Sequence, residues 1–291
     1  MSNTLKSLFN VTDGGIEMNV SRQFSKSFIG ALLLAPWAGY VTAGVVGSQH
    51  DLTTGGTAQA QTANTDEVCV FCHTPHGSNT TNNATVPLWN KVLADPTTYT
   101  QYSTLQTPSF ESTEVDVGSV SLACLSCHDG TQAMDVVINT PGSGGYNILG
   151  SEIDPVAIGL MSGTPVPNLE QDLTNDHPIS MQYGGGGPLA TDADGTFPRA
   201  NLGDGDFFPP VKETINTNPI WWVDSPAGTT GTREKTDMIL YARNDLGTVQ
   251  PFVECGSCHD PHNDATKGPT TVAFLRIDNT ASQICTTCHD K

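Results

Sequence analysis

The feature of this 291-residue chain that most constrains its fold is the placement of its eight cysteines. All eight fall into four copies of one pattern, C-x-x-C-H, which begin at Cys69, Cys124, Cys255 and Cys285. A disulfide framework would use an even number of cysteines, but it would not require a histidine after every second one. The pattern therefore favours sites that use two sulfur atoms and one imidazole together.

This spacing is typical of covalent c-type haem attachment. Two thiols add to the two vinyl groups of a porphyrin, and the next residue supplies an imidazole nitrogen to the iron. Compact zinc sites are disfavoured, because the motif starts are separated by 55 residues in the first half and by 30 in the second. A redox-active C-x-x-C would need one motif on a βαβ pattern. The sequence predicts four covalently bound haem c groups, each holding an iron.

Each predicted haem site takes its attachment cysteines and proximal iron ligand from one motif. The cysteines are Cys69 and Cys72, Cys124 and Cys127, Cys255 and Cys258, and Cys285 and Cys288. The proximal ligands are His73, His128, His259 and His289. Four of the eight histidines remain for the four distal positions: His50, His76, His177 and His262. The matching totals predict bis-histidine ligation, with methionine as the competing sixth ligand.

Two surplus histidines lie three residues after a proximal histidine: His76 follows His73, and His262 follows His259. A residue this close cannot reach the opposite face of the same porphyrin, so each is expected to ligate a different haem. Neighbouring haems would then lie close together, as electron conduction requires. Sequence proximity favours His76 for the haem of the second motif and His262 for that of the fourth, although spacing leaves this pairing open.

Composition and charge exclude other classes of function. The chain carries 12 basic and 30 acidic residues, a net charge of −18, so it lacks the basic footprint that nucleic-acid binding needs. Only 14% of residues are charged and 37% are apolar, with 29 glycines and 19 prolines. Such a chain has little aliphatic core, so we expect haems to fill its interior. The predicted fold is mostly irregular, with few short helices and strands around a closely packed haem chain.

The N-terminus predicts export. After an alternative start at Met18, the basic residues Arg22 and Lys26 precede an apolar stretch, residues 28–40, and small residues at 41–43. An uncleaved anchor is the alternative, because the apolar stretch extends to residue 46. We expect residues 1–43 to be a leader and signal peptide. The mature chain would not be membrane-bound; it would be secreted to the extracellular space or cell surface, with the periplasm as the alternative.

An internal repeat organises the expected mature domain, residues 44–291. The first and third motifs have the longer form C-x-x-C-H-x-P-H, and a plain motif follows each. This indicates two haem-pair modules, about 44–140 and 241–291, joined by a Gly- and Pro-rich insert at about 141–240.

Local patterns predict a few regular elements. We expect short helices at or beside each motif, one of them continuing through residues 131–138. The clearest strands are residues 219–223 and 237–243 in the insert. Trp221 and Trp222 are expected to pack on haem edges or between subunits.

Several segments resemble the doubled-CXXCH family of exported multihaem c-type cytochromes: EVCVFCHTPHG (67–77), VPLWN (86–90), CLSCHDGT (124–131), DHPIS (176–180), CGSCHDPH (255–262) and CTTCHD (285–290). Within that family the chain is similar to tetrahaem outer-surface cytochromes whose subunits polymerise into conducting filaments. The resemblance implies self-association into a homopolymer, other redox cytochromes as partners, and distal-ligand roles for His50 and His177.

Three functions remain open at this point. Electron transfer along a haem chain, extended by polymerisation, is favoured over a discrete periplasmic electron shuttle. A multihaem reductase needs an iron with an open sixth position, and eight histidines for eight axial positions argue against an enzyme. An N-terminal arm is mobile unless something holds it, and an iron bond to His50 would hold this one. We also hypothesise that one distal histidine, either His50 or His177 in the insert, ligates a haem of the neighbouring subunit.

Overall fold

The computed structural model describes residues 44–81, 86–142, 145–161, 167–186, 202–263 and 274–290. The predicted leader and its cleavage site lie outside these ranges. All described residues belong to a single unit, Thr42–Lys291. Within the described part of the chain, none of the helices has both the length and the apolar character needed to cross a membrane.

A short helical segment lies at each C-x-x-C-H motif, as predicted. The first motif contains a 3₁₀ turn, Val68–Phe71, and the others contain helices α1 (Ser119–His128), α2 (Cys255–Cys258) and α3 (Gln283–Cys288). Residues three apart on a helical turn lie on the same face. This geometry therefore turns both thiols of a motif toward the same side.

The predicted continuation of a helix through residues 131–138 is wrong. Helix α1 ends at His128, and Gly130 adopts a left-handed φ of 68°, where a Cβ would lie 2.9 Å from the carbonyl oxygen of Met161. The chain then forms strand β1 (Val136–Thr140), which pairs antiparallel with β2 (Gly145–Glu152). The β-branched residues at the start of β1 favour the strand.

A five-stranded antiparallel sheet combines the insert with the second module. Its strands are β3 (Met181–Gln182), β4 (Val211–Ile215), β5 (Asn218–Val223), β6 (Met238–Arg243) and β7 (Gln250–Val253), in the order β3-β7-β6-β5-β4. The two strands predicted in the insert are confirmed as β5 and β6. Because β7 leads directly into α2, the sheet positions the third motif.

The sheet also carries a conventional side-chain core. Trp221 and Trp222 are 1% and 2% exposed, and Trp221 packs with Met181, Met238 and Leu240. Both tryptophans are therefore buried within the chain itself, so the expectation that they pack between subunits is wrong. The architecture has few short helices and is mostly non-helical, as predicted, but its sheet is more regular than the Gly- and Pro-rich composition indicated.

Candidate haem-binding site

The second and third motifs meet through their first cysteines. Helix α1 packs against α2, and the Cys124 and Cys255 thiols hydrogen bond to each other. This contact, together with burial, raises the pKa of Cys124, and the same contact lowers the pKa of Cys255. Two attachment positions from different halves of the sequence are thereby brought into direct contact.

The outer motifs adjoin this central pair. Burial raises the pKa of Cys72 to about 12, and the next largest cause is the nearby Cys127. Burial likewise raises the pKa of Cys288 to about 12, with Cys258 the next cause. The first motif therefore lies beside the second, and the fourth beside the third. Each motif is adjacent to the motif that follows it in the sequence.

The first histidine ring pair consists of His73 and His262. Their ring centroids are 6.1 Å apart, and the ring planes are inclined by only 20°. The Nδ1 atom of His73 lies 3.1 Å from the carbonyl oxygen of Pro87. An Nδ1–H donated to a backbone carbonyl leaves Nε2 unprotonated, which is the usual arrangement of a histidine that ligates a metal.

The second histidine ring pair consists of His50 and His128. Their centroids are also 6.1 Å apart, but the planes are inclined by 75°. His128 Nδ1 lies 2.7 Å from the carbonyl oxygen of Pro167, and the His50 ring stacks on Phe274 at 4.1 Å. Burial, followed by the charge of His128, lowers the pKa of His50 to about 4. His50 is therefore held as a neutral imidazole, the form that binds metals.

In both ring pairs the centroid separation is compatible with one metal ion between the two rings. A metal–nitrogen bond to histidine is about 2 Å long, so imidazoles on opposite sides of one metal have centroids roughly 6 Å apart. The observed separations match this value. These four histidines are therefore candidates to hold haem iron.

The pairing suggested by sequence proximity stays a prediction, and the ring contacts favour a different one. The His262 ring lies beside His73 of the first motif. The His50 ring lies beside His128 of the second motif. The physical reason lies in the tertiary structure. The N-terminal segment packs on the third motif, where the Gly44 amide donates to the His262 carbonyl at 3.1 Å.

The remaining four predicted ligands occupy different surroundings. His76 and His177 are exposed, and His177 Nδ1 lies 2.9 Å from the carbonyl oxygen of Pro178. The His289 ring packs 4.4 Å from Phe207. His259 is exposed, and its backbone pairs with Leu275 in an isolated bridge.

Sequence reasoning missed the residues that support the ligands. The segment VPLWN carries one of them, because Pro87 provides the carbonyl for His73. Asn90 from the same segment donates its backbone amide to the Cys72 carbonyl at 2.9 Å and its side chain to the Val70 carbonyl at 2.7 Å. The segment was recognisable as a motif, but its supporting role depends on contacts that sequence alone does not reveal.

Four C-x-x-C-H motifs, adjacent in order and accompanied by histidine pairs at metal-binding separation, imply covalently bound haem c. Repeated motifs of this kind are typical of multihaem c-type cytochromes, a class of proteins that transfer electrons. The family described as the doubled CXXCH motif matches residues 250–291, the segment that holds the third and fourth motifs, and this match supports the assignment. Comparison with curated protein sequences found no match.

Proposed function

We propose that this chain is an exported tetrahaem cytochrome that conducts electrons along bis-histidine haems as the subunit of an extracellular filament. The observation that carries the proposal is the adjacency of successive motifs, together with two histidine ring pairs spaced for axial ligation. Adjacent attachment sites favour short distances between cofactors, and short distances favour rapid electron transfer.

The haems supply one-electron redox chemistry, and the chain holds and orients them. The cysteine pairs would hold each haem through thioether bonds, while the carbonyls of Pro87 and Pro167 fix the tautomer and orientation of the His73 and His128 rings. Two histidines that both ligate one iron would leave substrate no position at which to bind, and such ligation would favour electron transfer over a reductase.

Two further ligand pairs follow from the repeat. The first and third motifs share the form C-x-x-C-H-x-P-H, and the terminal histidine of the third lies against His73 of the first. A reciprocal arrangement would pair His76 of the first motif with His259 of the third. This assignment leaves His177 as the distal ligand for the haem held by His289.

We propose that His177, rather than His50, is the ligand donated to a neighbouring subunit. The contact between His50 and His128 supports a role for His50 within its own chain. His177 is exposed, and the contact of its Nδ1 with Pro178 leaves Nε2 available to ligate an iron. Filament assembly would then complete the ligation of one iron in every subunit.

The test compares the haem-loaded protein with the variants His177→Ala and Asn175→Ala, the second being a matched change at an exposed neighbouring position. The wild-type protein and Asn175→Ala should form filaments with four low-spin haems per chain. His177→Ala should give dispersed particles in which one haem in four is high-spin. Electron microscopy and absorption spectra provide the two measurements.

The outcomes separate the proposals. If His177→Ala still forms filaments with four low-spin haems, ligation across subunits by His177 is wrong. If wild-type protein remains dispersed while all four haems are low-spin, the discrete electron shuttle replaces the filament. A wild-type chain with a high-spin haem in the assembled state would favour the reductase.

A further inference from the structure

Lys91 is a fully buried cation in a strongly acidic chain, with 0% of its surface exposed. Its Nζ donates to the carbonyl oxygens of Met134 at 2.9 Å and Val136 at 2.8 Å. Within the described ranges, Lys91 forms no ion pair with a carboxylate. Lysine is almost never fully buried without a charged partner, because its desolvation is costly. Its burial here therefore calls for a function.

Lys91 lies between the first two attachment motifs. The Met134 carbonyl that accepts from Nζ also lies 3.9 Å from Cys127 Sγ. On the other side, the preceding residue, Asn90, is bonded to the Cys72 carbonyl. Lys91 therefore lies beside both attachment motifs.

We propose that the positive charge of Lys91 raises the reduction potentials of the first two haems. Reduction adds one electron to a ferric iron and needs no proton, so a nearby positive charge favours the reduced form. A low-dielectric interior strengthens this effect. The inference rests on the proposed function, because it requires redox-active haems at these two motifs.

A purely structural role for Lys91 makes a different prediction. If it only bridges the two carbonyls, its hydrogen bonds matter and its charge does not. Lys91→Gln keeps an N–H donor but removes the charge, whereas Lys91→Met removes both. Lys91→Arg keeps the charge. Lys212→Met is the control, since this lysine lies on strand β4 over the Trp221 ring.

The experiment is a spectroelectrochemical titration of the haem-loaded protein and these variants, with haem content and spin state measured on each sample. In Lys91→Gln and Lys91→Met, about half of the haem absorbance change, the share of the first two haems, should occur at a more negative potential than in the wild-type protein. When the variants are held at the midpoint potential that these haems have in the wild-type protein, their ratio of oxidised to reduced haem should be about tenfold higher than in the wild type. Lys91→Arg and Lys212→Met should titrate like the wild-type protein.

The proposal is overturned if Lys91→Gln titrates like the wild-type protein, whether or not Lys91→Met shifts. An equal shift in Lys212→Met would also overturn it, because the loss of any positive charge would then lower the reduction potentials. A wild-type protein without low-spin bis-histidine haems would overturn the proposed function as well. Normal haem content with unshifted potentials would refute the Lys91 inference alone.

Discussion

Replacing Arg243 with Met should strongly destabilise the protein, because it leaves a buried carboxylate without its cation. Arg243 Nη1 donates to Glu254 Oε1 at 2.9 Å, and the two residues are 8% and 1% exposed. The other carboxylate oxygen accepts from Ser121 and Ser180 at 2.5 and 3.1 Å. Because Ser121 lies on α1 and Glu254 directly precedes Cys255, this network joins the second motif to the third.

The expected loss is about 3–5 kcal/mol, the usual cost of removing one partner from a buried ion pair. Burial raises the pKa of Glu254 above its usual 4.5 even with Arg243 present, so the carboxylate is costly to bury. Without Arg243, this pKa should rise further. The free energy of unfolding of the variant should be closest to that of the wild-type protein below about pH 4.5, where Glu254 is protonated. It should fall as the pH rises through the folded-state pKa of Glu254.

The assay is guanidinium unfolding of the haem-loaded protein, followed by circular dichroism at two pH values. The double variant Arg243→Met/Glu254→Gln removes both charges and should recover roughly 2 kcal/mol of the loss. Arg233→Met is the exposed control and should unfold like the wild-type protein. A loss below about 1 kcal/mol in Arg243→Met, or a double variant no more stable than the single one, would refute the reasoning.

Two further predictions concern the histidine pairs. Ferric low-spin haem gives a rhombic electron paramagnetic resonance signal when its imidazole planes are near-parallel and a strongly anisotropic signal when they are near-perpendicular, so the 20° and 75° pairs should produce both. A rhombic signal alone would contradict the geometry. Gly56→Ala would place a Cβ 2.0 Å from the Asp51 carbonyl oxygen, beside His50, and should convert one haem per chain to high-spin. Gly55→Ala meets its nearest atom at 3.5 Å and serves as control; identical spectra for the two variants would contradict this prediction.

The chemistry of the site was predictable from the sequence because it is local. Two cysteines and a histidine within five residues need only one helical turn to present them together, and each motif indeed lies at a short helical segment. Strands β5 and β6 were predictable for a similar reason, since compact apolar runs identify strands. The end of α1 was missed, because the left-handed turn at Gly130 overrode an otherwise helical pattern.

Which histidine rings lie beside each other was decided only by the tertiary structure. His262 is three residues from His259, yet its ring lies against His73, and the N-terminal His50 lies against His128. The burial of Lys91 and Glu254 is likewise invisible in the sequence, where each is an ordinary charged residue. The physical reason is that local spacing controls which atoms one turn can present. The meeting of rings from distant segments depends instead on how the whole chain packs.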